Sequence, residues 1–393
     1  MRITGAQVAI DATNAAQRDF RVRNGRVEFS GMSQPGEEVL DLSGYLILPG
    51  LINAHDHLEL NLFPQLGSGR YTNARAWAEE IYRPDASPVK EHLALGKRIR
   101  LLWGGLKNLL SGATTVAHHN PYDESFDEPG YPVRVVKRLG WAHSLDFSPD
   151  LATRYHETPQ AWPFVVHAAE GTDRHARSEI ARLDQLGVLT DRTVLVHAVA
   201  VERQELELLQ TRRSALAWCP TSNLSLYGET LRRSVLKSGL RIALGTDSAM
   251  TNQGDFCDEM DAARTIGRLE PAELYEMVTV KAARALRLNE GRGSIREGGV
   301  ADLIALPHRG QTPAAALEQM QIEMVMVAGC MKLASERVLE RRTGSHGLSH
   351  TIELEGRGRW HTCVDMPSLC RQTIDVLGPD FRMAGKRVTS GVA

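Results

Sequence analysis

The triplet His55-Asp56-His57 places two imidazoles two residues apart. In extended backbone such residues face the same side, so both can reach a single ion. His167, His197 and Asp247 follow, each at or just past the end of an apolar run: Phe164-Val165-Val166, Thr193-Val194-Leu195-Val196 and Arg241-Ile242-Ala243-Leu244. Imidazole nitrogens plus one carboxylate suit a borderline divalent cation such as zinc, with a position left open for water. A lone strand-end histidine is ordinarily a hydrogen-bonded structural residue, and Asp247 alone would serve as a turn or helix cap. Suitable ligands at four separate strand ends shift that balance toward a metal site.

The elements that must position these groups alternate. Short apolar runs at 51–54, 113–117, 164–166, 193–196, 215–218 and 241–244, with a weaker one at 140–145, are separated by helical periodicity. The helical stretches are 89–111, 174–186, 201–211, 229–238, 256–267 and 271–287. This predicts an α/β chain built as a (β/α)8 TIM-like barrel, whose active sites form at the carboxyl ends of its strands. Seven strands are legible, and residues 118–163 must supply both the third and fourth units, which are therefore irregular. Residues 1–50 read as short strands, with a hairpin turn at Asn24-Gly25. Residues 291–340 return to strand texture at 300–306 and 323–329. The expected division is a β-sandwich part at 1–50, the barrel at 51–290, a second sandwich part at 291–340 and a C-terminal tail at 341–393 with a helix at 366–377. Both chain ends thus build one small β-sandwich.

Composition narrows the class. The 393 residues carry 46 basic and 48 acidic side chains, a net charge of −2, which argues against a nucleic-acid binder. No apolar run is long enough for a membrane span, and the start Met1-Arg2-Ile3-Thr4-Gly5 lacks a secretory apolar region. Five scattered cysteines fit reduced thiols. The expectation is a cytoplasmic protein acting on a small molecule, away from membranes.

The order His55-x-His57, His167-x-x-Glu170, His197, Asp247 resembles the amidohydrolase superfamily, in its cytosine, guanine and S-adenosylhomocysteine deaminase and chlorohydrolase branch. The resemblance also rests on Leu48-Pro49-Gly50-Leu51-Ile52-Asn53-Ala54, Gly112-Ala113-Thr114-Thr115, Cys219-Pro220-Thr221-Ser222-Asn223-Leu224, Leu244-Gly245-Thr246-Asp247-Ser248 and the segment Gly298-Gly299-Val300-Ala301-Asp302-Leu303. It covers about residues 1–340 and is much less specific for substrate than for the branch.

The resemblance implies that His55, His57, His167 and Asp247 hold one divalent ion, Zn2+ with Fe2+ and Mn2+ as alternatives. Such an ion lowers the pKa of its water towards neutrality. Asp247 would take the water's proton, Glu170 would protonate a ring or imine nitrogen, and His197 would orient the attacking oxygen. The implied activity is a deaminase of a nitrogen heterocycle. Cleavage of another C–N bond or a C–halogen bond by the same site is the alternative, and an inactive assembly relative is the reading from another class. Relatives with two metals bridge them with a modified lysine. Here the sole lysine between Lys107 and His167 is Lys137, within Val135-Val136-Lys137-Arg138, which reads as helix surface and favours one metal. His118, His119, Glu59 and Trp218 are the candidate substrate contacts. Cys219 reads as packing rather than as a nucleophile. The resemblance also makes a homodimer an expectation.

Overall fold

The computed structural model describes residues 1–29, 36–345 and 347–390. Its centre is a barrel-like set of parallel strands: β1 (Leu51–Asp56), β2 (Ala113–His118), β3 (Arg134–Val135), β4 (Gly140–Ala142), β5 (Phe164–Ala168), β6 (Thr193–His197), β7 (Ala215–Trp218) and β8 (Arg241–Leu244). Strands β1 to β3 form one sheet and β4 to β8 another. The end of β8 returns to β1, where the Thr246 amide donates to the His55 carbonyl at 2.9 Å. Side-chain alternation explains the packing. Ile52, Val165, Val194, Val196, Ala215, Ala217 and Ala243 make one inner cluster. Leu51, Phe164, Val166, Leu195, Leu216 and Leu244 belong to another cluster, shared with the helices.

The strand that the sequence hides is β3. It pairs with β2 in the register Arg134↔Thr115 and Val135↔Val116. Only residues 136–139 separate it from β4, so the third unit has no helix, and the fourth unit carries Leu151–Glu157. Residues 135–138 are therefore not a helix surface. Two paired residues are too few to display a period of two. Lys137 nevertheless reaches solvent, where its ammonium lies 2.6 Å from Asp127.

The helical stretch 89–111 divides into Val89–Ala94 and Lys97–Leu110, because Gly96 leaves the helical region at ψ 135°. The stretch 256–267 is one helix, Phe256–Gly267, opened by a capping box from Asp255. Among the helices that escape the periodicity reading, Ala74–Ile81 and Pro220–Tyr227 border the strand ends that carry the histidines.

The chain ends meet. Tyr45–Pro49 pairs antiparallel with Leu303–Pro307 inside a ten-stranded sheet, beside a four-stranded sheet of N-terminal strands. The Asn24-Gly25 hairpin forms, with both residues at positive φ (50° and 74°). Within the C-terminal segment, the described strands from residue 350 onward join the main sheet. His350–Leu354, Gly358–Thr362 and Lys386–Ser390 extend the ten-stranded sheet, and Met366–Leu377 is helical. Arg357 and Lys386 pair with Asp255 and Asp258 at the start of the Phe256–Gly267 helix, tying this segment to the barrel. No described helix is long and apolar enough to cross a membrane.

Candidate active site

His55 and His57 leave the end of β1, His167 lies in β5, and Asp247 follows β8. The fold gathers all four. The Nε2 atoms of His55 and His57 each lie 3.5 Å from Asp247 Oδ1, and His55 Nε2 is 3.2 Å from His167 Nε2. All four side chains are buried, and burial drives the three imidazoles towards their neutral forms. Burial alone would raise the Asp247 carboxyl. The close approach of His55 and of the neighbouring histidines outweighs it and holds that carboxyl well below the usual range.

Neighbouring groups fix which nitrogen of each ring carries hydrogen. His167 Nδ1 lies 2.9 Å from the His143 carbonyl, which can only accept, so its Nε2 bears a lone pair. His119 Nε2 likewise donates to the Ala142 carbonyl at 2.9 Å, so its Nδ1 accepts from His55 Nδ1 at 3.3 Å. His55 Nε2 is then a lone pair facing that of His167, beside an ionised carboxylate. Lone pairs and a carboxylate converging on one point repel one another unless a cation lies among them, so the donor set fits a divalent metal ion.

Glu170 and His197 stand beside this cluster. His197 Nε2 lies 3.5 Å from Glu170 Oε1 and 4.0 Å from Asp247 Oδ2. Burial raises the Glu170 carboxyl above its ordinary value, with Asp247 adding to the shift and His197 opposing it. His197 and Asp247 both take positive φ, 69° and 57°, which is uncommon for residues with a side chain and is typical of strained functional positions.

One short helix orients these three groups. Pro220 opens Pro220–Tyr227, and its missing N–H costs nothing at that position. From this helix Ser222 donates to Asp247 Oδ2 at 2.6 Å, Asn223 Oδ1 meets His197 Nδ1 at 2.8 Å, and the Tyr227 hydroxyl donates to Glu170 Oε1 at 2.7 Å. The sequence reading treated this segment as a motif and missed these roles. The i, i+4 spacing of Asn223 and Tyr227 is the signal that could have found those two.

The site floors a cleft of about 360 Å³ lined by His57, His143, His167, Glu170, His197 and Asp247, with Asn120, Ser248 and an apolar wall above. The candidate substrate contacts lie elsewhere. His119 stacks on His167 with ring centroids 4.2 Å apart, and its ring nitrogen lies within 4.8 Å of those of His55, His57 and His167. His118 and Glu59 are buried together with Nε2 and Oε2 3.6 Å apart, and Glu59 Oε1 accepts from Asn120 at 2.7 Å. Of that group it is Asn120 that reaches the cleft. Trp218 alternates with the inward Ala217, so it points out to the helices, fully buried, with its indole N–H donating to Thr230 at 2.7 Å. Cys219 packs in the inner cluster, where burial pushes its thiol well above the usual value.

Residues 162–332 match the profile of the amidohydrolase family. A 5-methylthioadenosine/S-adenosylhomocysteine deaminase of Haloarcula marismortui is 26% identical over 381 residues, covering 79% of this chain and 86% of the relative. A 5′-deoxyadenosine deaminase of Methanothermobacter thermautotrophicus is 25% identical over 363 residues, covering 78% and 84%. Among solved structures, an atrazine chlorohydrolase variant from Arthrobacter aurescens superposes with a TM-score of 0.69 at 18% identity, covering 86% of this chain and 98% of that one. A zinc-bound adenosine deaminase from Xanthomonas campestris superposes with a TM-score of 0.64 at 18% identity, covering 85% and 92%. Residues 162–332 thus resemble the amidohydrolase family, and most of the chain shares its fold with the two solved enzymes.

Proposed function

We propose that this protein is a metal-dependent aminohydrolase that removes an amino group from a nitrogen heterocycle, with ammonia as product. The observation that carries the reading is the convergence of His55, His57, His167 and Asp247 at strand ends with Glu170 and His197 beside them, at the floor of one cleft. The names of the relatives, deaminases of adenosine derivatives, support the same reaction class. We read the two parallel runs as one eight-stranded barrel, irregular at its third and fourth units, with both chain ends forming the accompanying β-sandwich.

His55, His57, His167 and Asp247 would hold the ion, zinc by the nitrogen-rich donor set. When bound, such an ion makes a water molecule acidic enough to act as a nucleophile near neutral pH. The chain's own groups divide the proton transfers. Asp247, ionised and steadied by Ser222, accepts a proton at a carboxylate oxygen. Glu170, kept protonated further up the pH scale by burial, delivers one to a ring nitrogen while the adjacent carbon is attacked. His197 is positioned by the Asn223 side-chain oxygen so that Nδ1 donates to it and Nε2 faces the reacting atoms. Asp247 passes its proton to the amino nitrogen, the tetrahedral carbon collapses with loss of ammonia, and the hydroxyl proton returns to Glu170.

The test is ammonia release from a panel of aminated purines, pyrimidines, pterins and triazines by zinc- and iron-loaded protein. Release that vanishes on chelation and returns with metal supports the reading. Halide or amine in place of ammonia assigns the site to another bond, and full activity in metal-free protein removes the reading.

A further inference from the structure

We propose that the cleft takes an uncharged aminated heterocycle bearing an apolar arm, and that Trp77, Ala78 and Ile81 form the seat of that arm. The inference rests on the aminohydrolase reading and narrows its substrate class.

The argument starts from a helix with its apolar side turned the unusual way. Ala74, Trp77, Ala78 and Ile81 recur at i, i+3, i+4 and i+7 on Ala74–Ile81, which puts them on one face. Such a stripe ordinarily sinks into the core. Here no residue of the helix is buried, and all four members of the stripe line the cleft above the catalytic floor. Leu60, Phe147 and Met250 add to this wall. The exposed apolar area is what a ligand would remove from water, and that removal is favourable.

The helix is fastened in register with the reacting groups. Asn73 caps it by accepting from the Ala76 amide at 3.0 Å, and its side chain donates to Asp173 at 2.5 Å. The Ala74 amide donates to the Glu170 carbonyl at 3.1 Å. Glu170 therefore offers its carboxyl to the reaction and its carbonyl to the start of the apolar wall. Trp77 donates its indole N–H to the Leu66 carbonyl at 3.1 Å, which satisfies its polar atom, and its half-buried ring packs on Val199, Leu226 and Tyr227 while its remaining surface lines the cleft.

Charge points the same way. Among the described residues, the cleft lining carries the carboxylates of Glu170 and Asp247 and no lysine or arginine. The adjoining recess holds Asp146, Glu179, His175 and Arg75. There Arg75 is 2.8 Å from Glu79, and His175 is 2.8 Å from Asp146. An anionic tail lying along this wall would shed water without meeting a fixed cationic side chain, a loss that an apolar arm avoids.

The test uses one aminotriazine ring in three forms: bare, with a propyl arm, and with a carboxyethyl arm of similar length. Ammonia release and calorimetric binding are measured with metal-loaded protein. The expectation is that kcat/KM for the propyl ring exceeds that for the carboxyethyl ring by about tenfold or more, within the range that a few methylenes command in an apolar pocket. Trp77→Ala and the surface-tolerant Ile81→Ser should each erase most of that preference, chiefly through KM. Equal kcat/KM for the two arms, or a preference that survives both variants, overturns the proposal. Binding separates the two readings: tighter propyl binding without ammonia supports the seat and removes the reaction, whereas ammonia with indifferent binding does the reverse.

Discussion

The Lys107 ammonium lies 2.8 Å from Asp56 Oδ2, and both side chains are almost fully buried, at 1% and 0% exposure. Asp56 separates the two histidines of β1, and it also accepts from Asn108 at 2.7 Å and Asn61 at 2.8 Å. Lys107 further donates to Thr246, the residue before Asp247. The pair thus ties the backbone that presents His55 and His57 to the backbone that presents Asp247. Lys107→Met should leave Asp56 buried without a counter-charge, destabilising the fold by about 3–5 kcal/mol. Urea denaturation measures this, and metal content of the purified variant should fall with it.

Glu170→Gln keeps the shape of the side chain and its contact with Tyr227 but removes the proton. Its kcat should fall by about 10²–10⁴-fold while metal content stays that of the parent. Steady-state rates beside elemental analysis check this, and a variant within threefold of the parent would exclude Glu170 as the acid.

Asn223→Ala removes the oxygen that fixes His197 Nδ1–H. The ring is then free to take the other tautomer or rotate, and kcat should drop by about 10–100-fold with little change in Tm. Asn223→Asp, which keeps an acceptor in place, should recover part of the rate. Absence of that recovery would mean that Asn223 serves packing alone.

Glu259 is buried beneath the Pro220–Tyr227 helix and accepts from the Thr221 amide and hydroxyl. Burial raises its carboxyl to about 8. The folded state therefore holds its proton more tightly than the unfolded chain does. The stability this gives is complete below the unfolded value and is lost as pH rises through the folded one. Glu259→Gln should remove this loss, so its Tm advantage over the parent should grow between pH 6 and pH 9, by an amount on the order of 1–3 kcal/mol. Parallel Tm curves for the two proteins would show that the carboxyl does not titrate there.

Much of the site was legible in the linear chain. His55-x-His57, His167, His197 and Asp247 sit at ends of apolar runs, and alternation along a strand brings such residues to one rim whatever connects them. The inward position of His167 could be read from Val165, two residues earlier. The outward position of Trp218 could equally have been read from Ala217, since a step of one residue changes the face. Periodicity also found Phe256–Gly267, which is long and capped, and the Asn24-Gly25 hairpin, whose turn residues demand positive φ.

What the sequence determined by itself was the ligand types and their strand-end order, because those depend on local spacing. Tertiary structure alone decided the rest. It made a strand of Arg134–Val135, since two residues acquire that identity only by pairing with Thr115 and Val116. It drew residues 350–390 into the large sheet through long-range pairing that no local pattern encodes. It turned the apolar face of Ala74–Ile81 towards the cleft, because a helix's periodicity says that one side is apolar but not what that side will face.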